Sequence, residues 1–571
     1  MSRGERTSRS RRLVVAAILC AGLWAQSARA DALDDLAKDF WAWRATEMPV
    51  SSDDIPRLER PAGWIPDWSA AAVESYRQQV AHFEQRYKAL DVSKEPVGRQ
   101  LDYRLMGSAI ARARWELDYL GAWKRNPNFY LDQTLGAYFD LLLVPPPFSP
   151  ERGRHIVATL NEFPKILSGA RGNLTEPVRP FADLALDQLG GVRARLLASV
   201  HALKPLVDPD SQMQIDAAAD AAIRALEDYR QWLAGKLDSM SPQSAIGERG
   251  YRYFLRNVAL LPYSPEQLLE IGRQEWARSV SFQTYEEHNH MSDAELPLPA
   301  SIDEEIERER RDEEAVRKYL VEKKILSVPA WVQHYTWRPM PDFIKPLEGV
   351  WEADDFTSVS RLKENGVRYI DPPSPRLGYF ALADAKDPRT GIVHEGVPGH
   401  YFQLSLSWAH PDPIRRHYYD SGANEGIGFY SEEMLLEAGL FDNSSRSREI
   451  IDNMVRLRAL RVEVDVKLAL GEFTIAQAAE YLAKTVPMDS QTARGEAKMF
   501  ASSPGQAISY QVGKTQIMRF LAEARRQQAE KFDLQAFHDF LWLNGNVPIV
   551  LQRWEYLGLK DDVETVDSMK F

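Results

Sequence analysis

The chain has 571 residues, 44% hydrophobic and 27% charged, with a formal net charge of −12. This is ordinary soluble globular composition, long enough for several cores or one large helical body. The acidic balance argues against nucleic acid or an anionic membrane as the main partner.

The N-terminus reads as an export signal. Arg3, Arg6, Arg9, Arg11 and Arg12 precede an apolar run over 13–25, and Ala28-Arg29-Ala30 offers a small-x-small cleavage site. The apolar run is too short for a membrane-spanning helix, so a signal peptide over 1–30 is expected, with no stable membrane anchor. Ser10-Arg11-Arg12 followed by Leu13, Val14 and Val15 also fits a twin-arginine signal, so the route is Sec or twin-arginine and the destination periplasmic or secreted. Cys20 is the only cysteine and falls in this segment, behind a Leu19 too large for lipoprotein processing. A mature chain without cysteine has no disulfide and no thiolate ligand, so any transition-metal site must use His, Asp and Glu.

Apolar residues recur at three- and four-residue spacing over 31–44, 70–90, 99–119, 156–167, 181–203, 213–240, 265–280, 302–324, 447–470 and 511–526, which predicts helices there. Strand signals are few: 331–338, 367–370 and 378–382. The expected fold is mainly α and two-lobed, with a small β-sheet beside the metal motif. An N-terminal helical lobe over 31–245 and a catalytic lobe over 246–571 would form one integrated domain. The run 303–314 mixes both charge signs at helical spacing and predicts a solvated face held by i,i+4 pairs.

The most informative stretch is Gly391-Ile392-Val393-His394-Glu395-Gly396-Val397-Pro398-Gly399-His400. It approaches the zinc-hydrolase pattern His-Glu-x-x-His, in which two His on one helix face hold the ion and the Glu activates water. Here the second His comes two residues late, and six residues of regular helix turn ~600°, toward the opposite face. Pro398-Gly399 in the gap permits a break or bulge that swings His400 back. Downstream, Glu425 opens a predicted helix through about 436, with Ile427, Tyr430, Met434 and Leu435 for its inner face. His394, His400 and Glu425 would leave a fourth position for water.

Further blocks carry a resemblance. His394-Glu395 with Pro398-Gly399-His400 is followed by Glu425-Gly426 with Tyr430 and Glu432. Then come Arg458-Ala459 with Arg461 and Asp465, and Pro504-Gly505-Gln506-Ala507 with Tyr510 and Gly513. In this order the blocks resemble the bacterial DUF885 family, which is distantly similar to gluzincin-type helical zinc metallopeptidases. Tyr401 stands where the family commonly has a second His, and Ile427 and Gly428 stand for its Trp and Ala. These departures remove no proposed ligand but imply a reshaped pocket wall.

The resemblance implies an exported zinc-dependent hydrolase of short peptides or small amides. His394, His400 and Glu425 would hold Zn²⁺, although imidazole and carboxylate also suit iron, cobalt or nickel. Glu395 would take a proton from water and pass it to the leaving amine. Tyr510 is the candidate oxyanion stabiliser, with a packed helix tyrosine as the alternative. Gln506 could face the cleft. Arg458 or Arg461 could bind a substrate carboxylate as a fork, or belong to a structural ion-pair network. Glu432 or Asp465 could orient a ligand His. The competing functions are a metal hydrolase of a non-peptide amide or ester, and a non-catalytic periplasmic binding or scaffold protein with a relic site.

Overall fold

Caps and prolines define the helix starts more sharply than apolar periodicity does. Ser149-Pro150, Asp208-Pro209 and Ser264-Pro265 each place a side-chain acceptor before a proline at the first helical position, and Ser264 completes a capping box with Gln267. Helices therefore begin at Pro150 and Pro209, ahead of the apolar stripes at 156 and 213. The computed structural model describes residues 32–570 apart from 49–57, 62, 66 and 348–352. The predicted signal over 1–30 lies outside the described residues.

The protein is mainly α with one small sheet. The site and its supports lie on α1 (Pro265–Asn289), α2 (Ile302–Glu322), α3 (Tyr379–Lys386), α4 (His400–Trp408), α5 (Ser421–Glu437), α6 (Ser445–Leu470), α7 (Ser490–Ser502) and α8 (Gln506–Gln528). The strands β1 (Tyr335–Pro339), β2 (Asp354–Asp355) and β3 (Gly366–Ile370) pair in the order β1-β3-β2, with β1 parallel and β2 antiparallel to β3.

Three expectations change. The segment 378–382 is the start of α3, not a strand: its apolar residues follow Gly378, the Tyr379 amide donates to Asp489 Oδ2 at 3.1 Å, and the helix runs on to Lys386. The single helix expected over 181–203 is two, Arg179–Gln188 and Val192–Leu203, separated at Gly190-Gly191 with Gly191 at φ +64°. The charged run on α2 is only half solvated. Arg310 pairs with Glu307 and Glu314 on the outer face, but Glu305, Glu309 and Glu313 at i, i+4 and i+8 are buried. They turn inward because α2 lies against β1 and the metal segment.

The largest apolar core joins the N-terminal helices to Phe343, Val367, Tyr369, Tyr418, Val550 and Trp554 from the rest of the chain. A second core surrounds the metal segment and includes Val393, Tyr401, Ile427, Phe429, Tyr510 and Trp542. Alternation along β3 separates two environments: Val367 and Tyr369 enter the large core, while Arg368 faces the other way. Helices α5 and α8 cross at very close range. A Cβ on Gly426 would fall 2.7 Å from the Gly513 backbone, so the two helices touch main chain to main chain. That approach sets Glu425 and Tyr510, one and three residues away, beside the same space.

Candidate metal centre

The offset between the two histidines is absorbed in three steps. Residues Ile392–Gly396 form a π-helical turn, wider than an α-turn. The chain then breaks over Val397-Pro398-Gly399, and α4 starts afresh at His400. Gly399 packs against the turn it leaves: a Cβ there would collide with the His394 carbonyl oxygen. The two imidazole centroids end 4.7 Å apart, edge to face.

Glu425 lies in the second turn of α5, which is capped by Asp420 accepting from the Ala423 amide. Its Oε2 is 3.1 Å from His400 Nε2 and 3.7 Å from His394 Nε2. One ligand atom from each residue lies within 4.8 Å of the others, and all three residues are buried. Ions bound at ~2.0–2.1 Å in a tetrahedron have donors about 3.3 Å apart, so these two separations fit a first-row divalent ion. Glu425 Oε2 is buried and makes no hydrogen bond within the described residues. Such an orphan acceptor is costly unless a cation completes it. The donor set therefore fits a metal.

The supporting groups fix how these ligands point. Glu432 Oε1 is 2.6 Å from His394 Nδ1, which leaves Nε2 directed at the common point. Arg458 Nη2 holds Glu432 from the other side at 3.1 Å. Gln506 Nε2 donates to Glu425 Oε1 at 3.1 Å and is itself held by the Ser421 hydroxyl at 2.8 Å. Burial opposes a charge on His394, but Glu425 and Glu432 outweigh it and push its pKa up to about 9. The neighbouring imidazoles hold Glu425 ionised, well below the usual carboxylate range, against the opposing effect of burial. A pocket that attracts a proton this strongly also attracts a divalent cation. Gly428 lies beneath both rings: a Cβ there would sit 2.9 Å from His400 Cε1 and 3.2 Å from His394 Cε1, so the rings use space an alanine would fill.

The remaining expected residues fall as follows. Glu395 follows His394 on the π-turn; its side chain is 25% exposed, with Oε2 4.0 Å from His400 Nε2. It is the partly open carboxylate of the site. Tyr510 stacks on the His394 ring at 6.2 Å and 13°. Arg461 makes a two-pronged pair with Glu496 of α7 at 2.7 and 2.8 Å and lies 4.4 Å from the Tyr510 ring. Arg458 and Arg461 are both buried and ion-paired, while Arg458 Nε and Nη1 and Arg461 Nη1 make no hydrogen bond within the described residues. Asp465 touches neither histidine. It accepts from the amides of Gly505, Ala507 and Ile508 at 2.8–3.3 Å and from the Tyr251 hydroxyl at 2.9 Å, so it caps α8 from α6. Tyr401 turns away from the centre, stacking on Tyr335 with its hydroxyl donating to the Glu364 carbonyl, and Ile427 is fully buried.

Sequence reasoning passed over a second group beside Glu395. Arg368 of β3 lies 3.8 Å from Glu395 Oε1 and 3.4 Å from Asp384 Oδ2, and Asp354 is its cross-strand partner on β2. The available signal was an arginine alternating with Val367 and Tyr369 in a predicted strand.

Two solved structures share this fold. A candidate lipoprotein of unknown function from Shewanella oneidensis aligns with TM-score 0.67 and 18% identity, over 92% of this chain and 98% of its own. A candidate lipoprotein from Colwellia psychrerythraea aligns with TM-score 0.70 and 18% identity, over 94% and 100%. No curated protein matches the sequence significantly. Residues 57–553 match the family described as "Bacterial protein of unknown function (DUF885)", and the chain therefore belongs to that family.

Proposed function

We propose that this protein is an exported, zinc-dependent hydrolase that cleaves amide bonds in short peptides. The observation that carries the reading is the buried Glu425 Oε2, which accepts no hydrogen bond within the described residues and faces two imidazole nitrogens at 3.1 and 3.7 Å. When bound there, a divalent ion would lower the pKa of a coordinated water toward ~7 and polarise a substrate carbonyl.

The chain's own residues supply the rest. His394, His400 and Glu425 hold the ion, with Glu432 and Gln506 fixing the orientation of two of them. Glu395 is adjacent, partly exposed and not one of the three, which suits it to take a proton from water and return it to the leaving amine. Tyr510 stands over the His394 ring, where its phenol can donate to a developing oxyanion. Arg458 and Arg461 lie buried behind it, paired with Glu432 and Glu496, and add positive charge to that side of the site. The signal-like N-terminus supports export, as does the description of both structural neighbours as candidate lipoproteins.

The test is product release from dipeptide and tripeptide libraries by zinc-loaded protein, with a Glu395→Gln variant alongside. The expected result is hydrolysis by the wild type and loss of about 100-fold or more in rate for the variant with zinc retained. Full activity in the variant removes Glu395 as the base, and a zinc-loaded wild type inert on every peptide rejects the peptidase reading. Ester and non-peptide amide substrates in the same assay separate the alternative hydrolase.

A further inference from the structure

We propose that Arg368 is a positioning residue that holds the Glu395 carboxylate in place, and that Asp354 and Asp384 in turn clamp Arg368. The role of Glu395 rests on the hydrolase reading; the clamp itself does not.

The geometry builds from the sheet. Residues on either side of Arg368 enter the large core, so strand alternation sends its guanidinium to the opposite face, toward the π-turn. Register places Asp354 directly across from Arg368 on β2. The Tyr335 hydroxyl of β1 donates to Asp354, which fixes that carboxylate from the far side of the sheet. Asp384, on α3, lies 3.4 Å from Arg368 Nη2 and accepts from Thr390 Oγ1 at 3.0 Å. It also presses on Gly391, one residue before the π-turn, where a Cβ would meet its carboxyl at 2.8 Å. Arg368 thus pairs with Asp384 of α3, lies across from the Asp354 charge on β2, and presents its Nη1 to Glu395 Oε1 at 3.8 Å.

The contrast with Arg461 defines the role. Arg461 forks onto Glu496 at 2.7 and 2.8 Å, a pairing that uses both carboxylate oxygens. Arg368 stands about an ångström further from Glu395 and makes no hydrogen bond to it, so it attracts the carboxylate without occupying its acceptor positions. Within the described residues Arg368 and His400 are the basic side chains within 4.0 Å of the Glu395 carboxylate. His400 Nε2 is committed to the ion in the proposed centre, which leaves Arg368 as the group that aims the base. Three carboxylates already face this one guanidinium, so the local charge disfavours a fourth from substrate.

The test compares zinc-loaded wild type with Arg368→Met and Arg368→Lys; the Lys variant retains the charge and guards against misfolding of the Met variant. Three readouts are taken: bound zinc, kcat and KM on the best peptide, and the Glu395 side-chain position in crystals. For R368M, zinc content is unchanged, kcat falls about 100-fold with KM nearly constant, and Glu395 moves away from the ion. R368K recovers part of the loss. An unmoved Glu395 with unchanged kcat overturns the proposal. A rise in KM alone would make Arg368 a substrate-binding residue, and loss of zinc would make it a support of the ligands; either result also overturns it. Should the wild type cleave no peptide, the hydrolase reading fails, while the crystal position of Glu395 still decides the clamp.

Discussion

Asp465 and Glu425 are buried carboxylates on neighbouring helices, and both reach the first turn of α8. Asp465 receives three backbone amides and a tyrosine hydroxyl. Glu425 receives one side-chain amide on Oε1 and nothing on Oε2, which instead faces two imidazoles. A carboxylate whose lone pairs are filled by the fold supports the fold. One left with an empty lone pair among metal-ligating side chains supports something bound. The same helix start therefore joins a structural cap to a chemical centre, and Gln506 is the residue at which the two meet.

The largest effect should come from breaking the filled carboxylate. Asp465→Ala strands three buried donors at the head of α8 and should cost about 3–5 kcal/mol of stability. Chemical denaturation with and without zinc checks this: both curves should move together, because the cap does not depend on the ion. Glu425→Gln should do the reverse. The metal-free fold should lose only the modest attraction between the carboxylate and the two imidazoles, while the rise in melting temperature on adding zinc disappears. An equal zinc-induced rise in that variant would contradict the comparison. Glu432→Gln should fall between, keeping the ion but binding it about 10–100-fold more weakly, as expected when a ligand imidazole loses its orienting acceptor. Competition with a chromophoric chelator measures it.

A smaller and slower effect should separate a third kind of buried carboxylate. Burial, helped by the neighbouring Glu313 and Asp312, pushes Glu309 up to about 8 against a long bond from the Trp337 amide and the charge of Arg310. A folded pKa above the unfolded value means the folded state holds its proton more tightly. The contribution to stability is then complete below the unfolded pKa of ~4.5 and is lost as pH rises through about 8. Stability measured between pH 5 and 9 should fall more steeply for wild type than for Glu309→Gln. Identical slopes would mean that Glu309 does not titrate in this range.

Much of this was legible in the sequence, for physical reasons that differ by element. Helices announced themselves by apolar spacing because each packs one stripe inward, and the π-turn and break were readable from the Pro-Gly pair between His394 and His400. Boundaries were set by caps such as Ser149-Pro150 that carry no apolar signal. The segment 378–382 misled because five residues cannot distinguish a strand from the first turns of a helix. On α2, charge pattern alone does not say which side faces water, so the inward turn of Glu305, Glu309 and Glu313 depended on where β1 lies. Asp465 shares its helix with Arg458 and Arg461, which groups it with their chemistry on sequence alone, but its partners come from Tyr251 and the start of α8, far away in the chain. Arg368 and its two clamping aspartates were hidden for the same reason: β2, β3 and α3 become neighbours only through tertiary packing.

The direct test is anomalous diffraction at the zinc edge from crystals of the gently purified, zinc-equilibrated protein. The account predicts one strong peak ~2.0–2.2 Å from His394 Nε2, His400 Nε2 and Glu425 Oε2. Crystals with no peak there, from protein that remains metal-free after zinc is supplied, would contradict it.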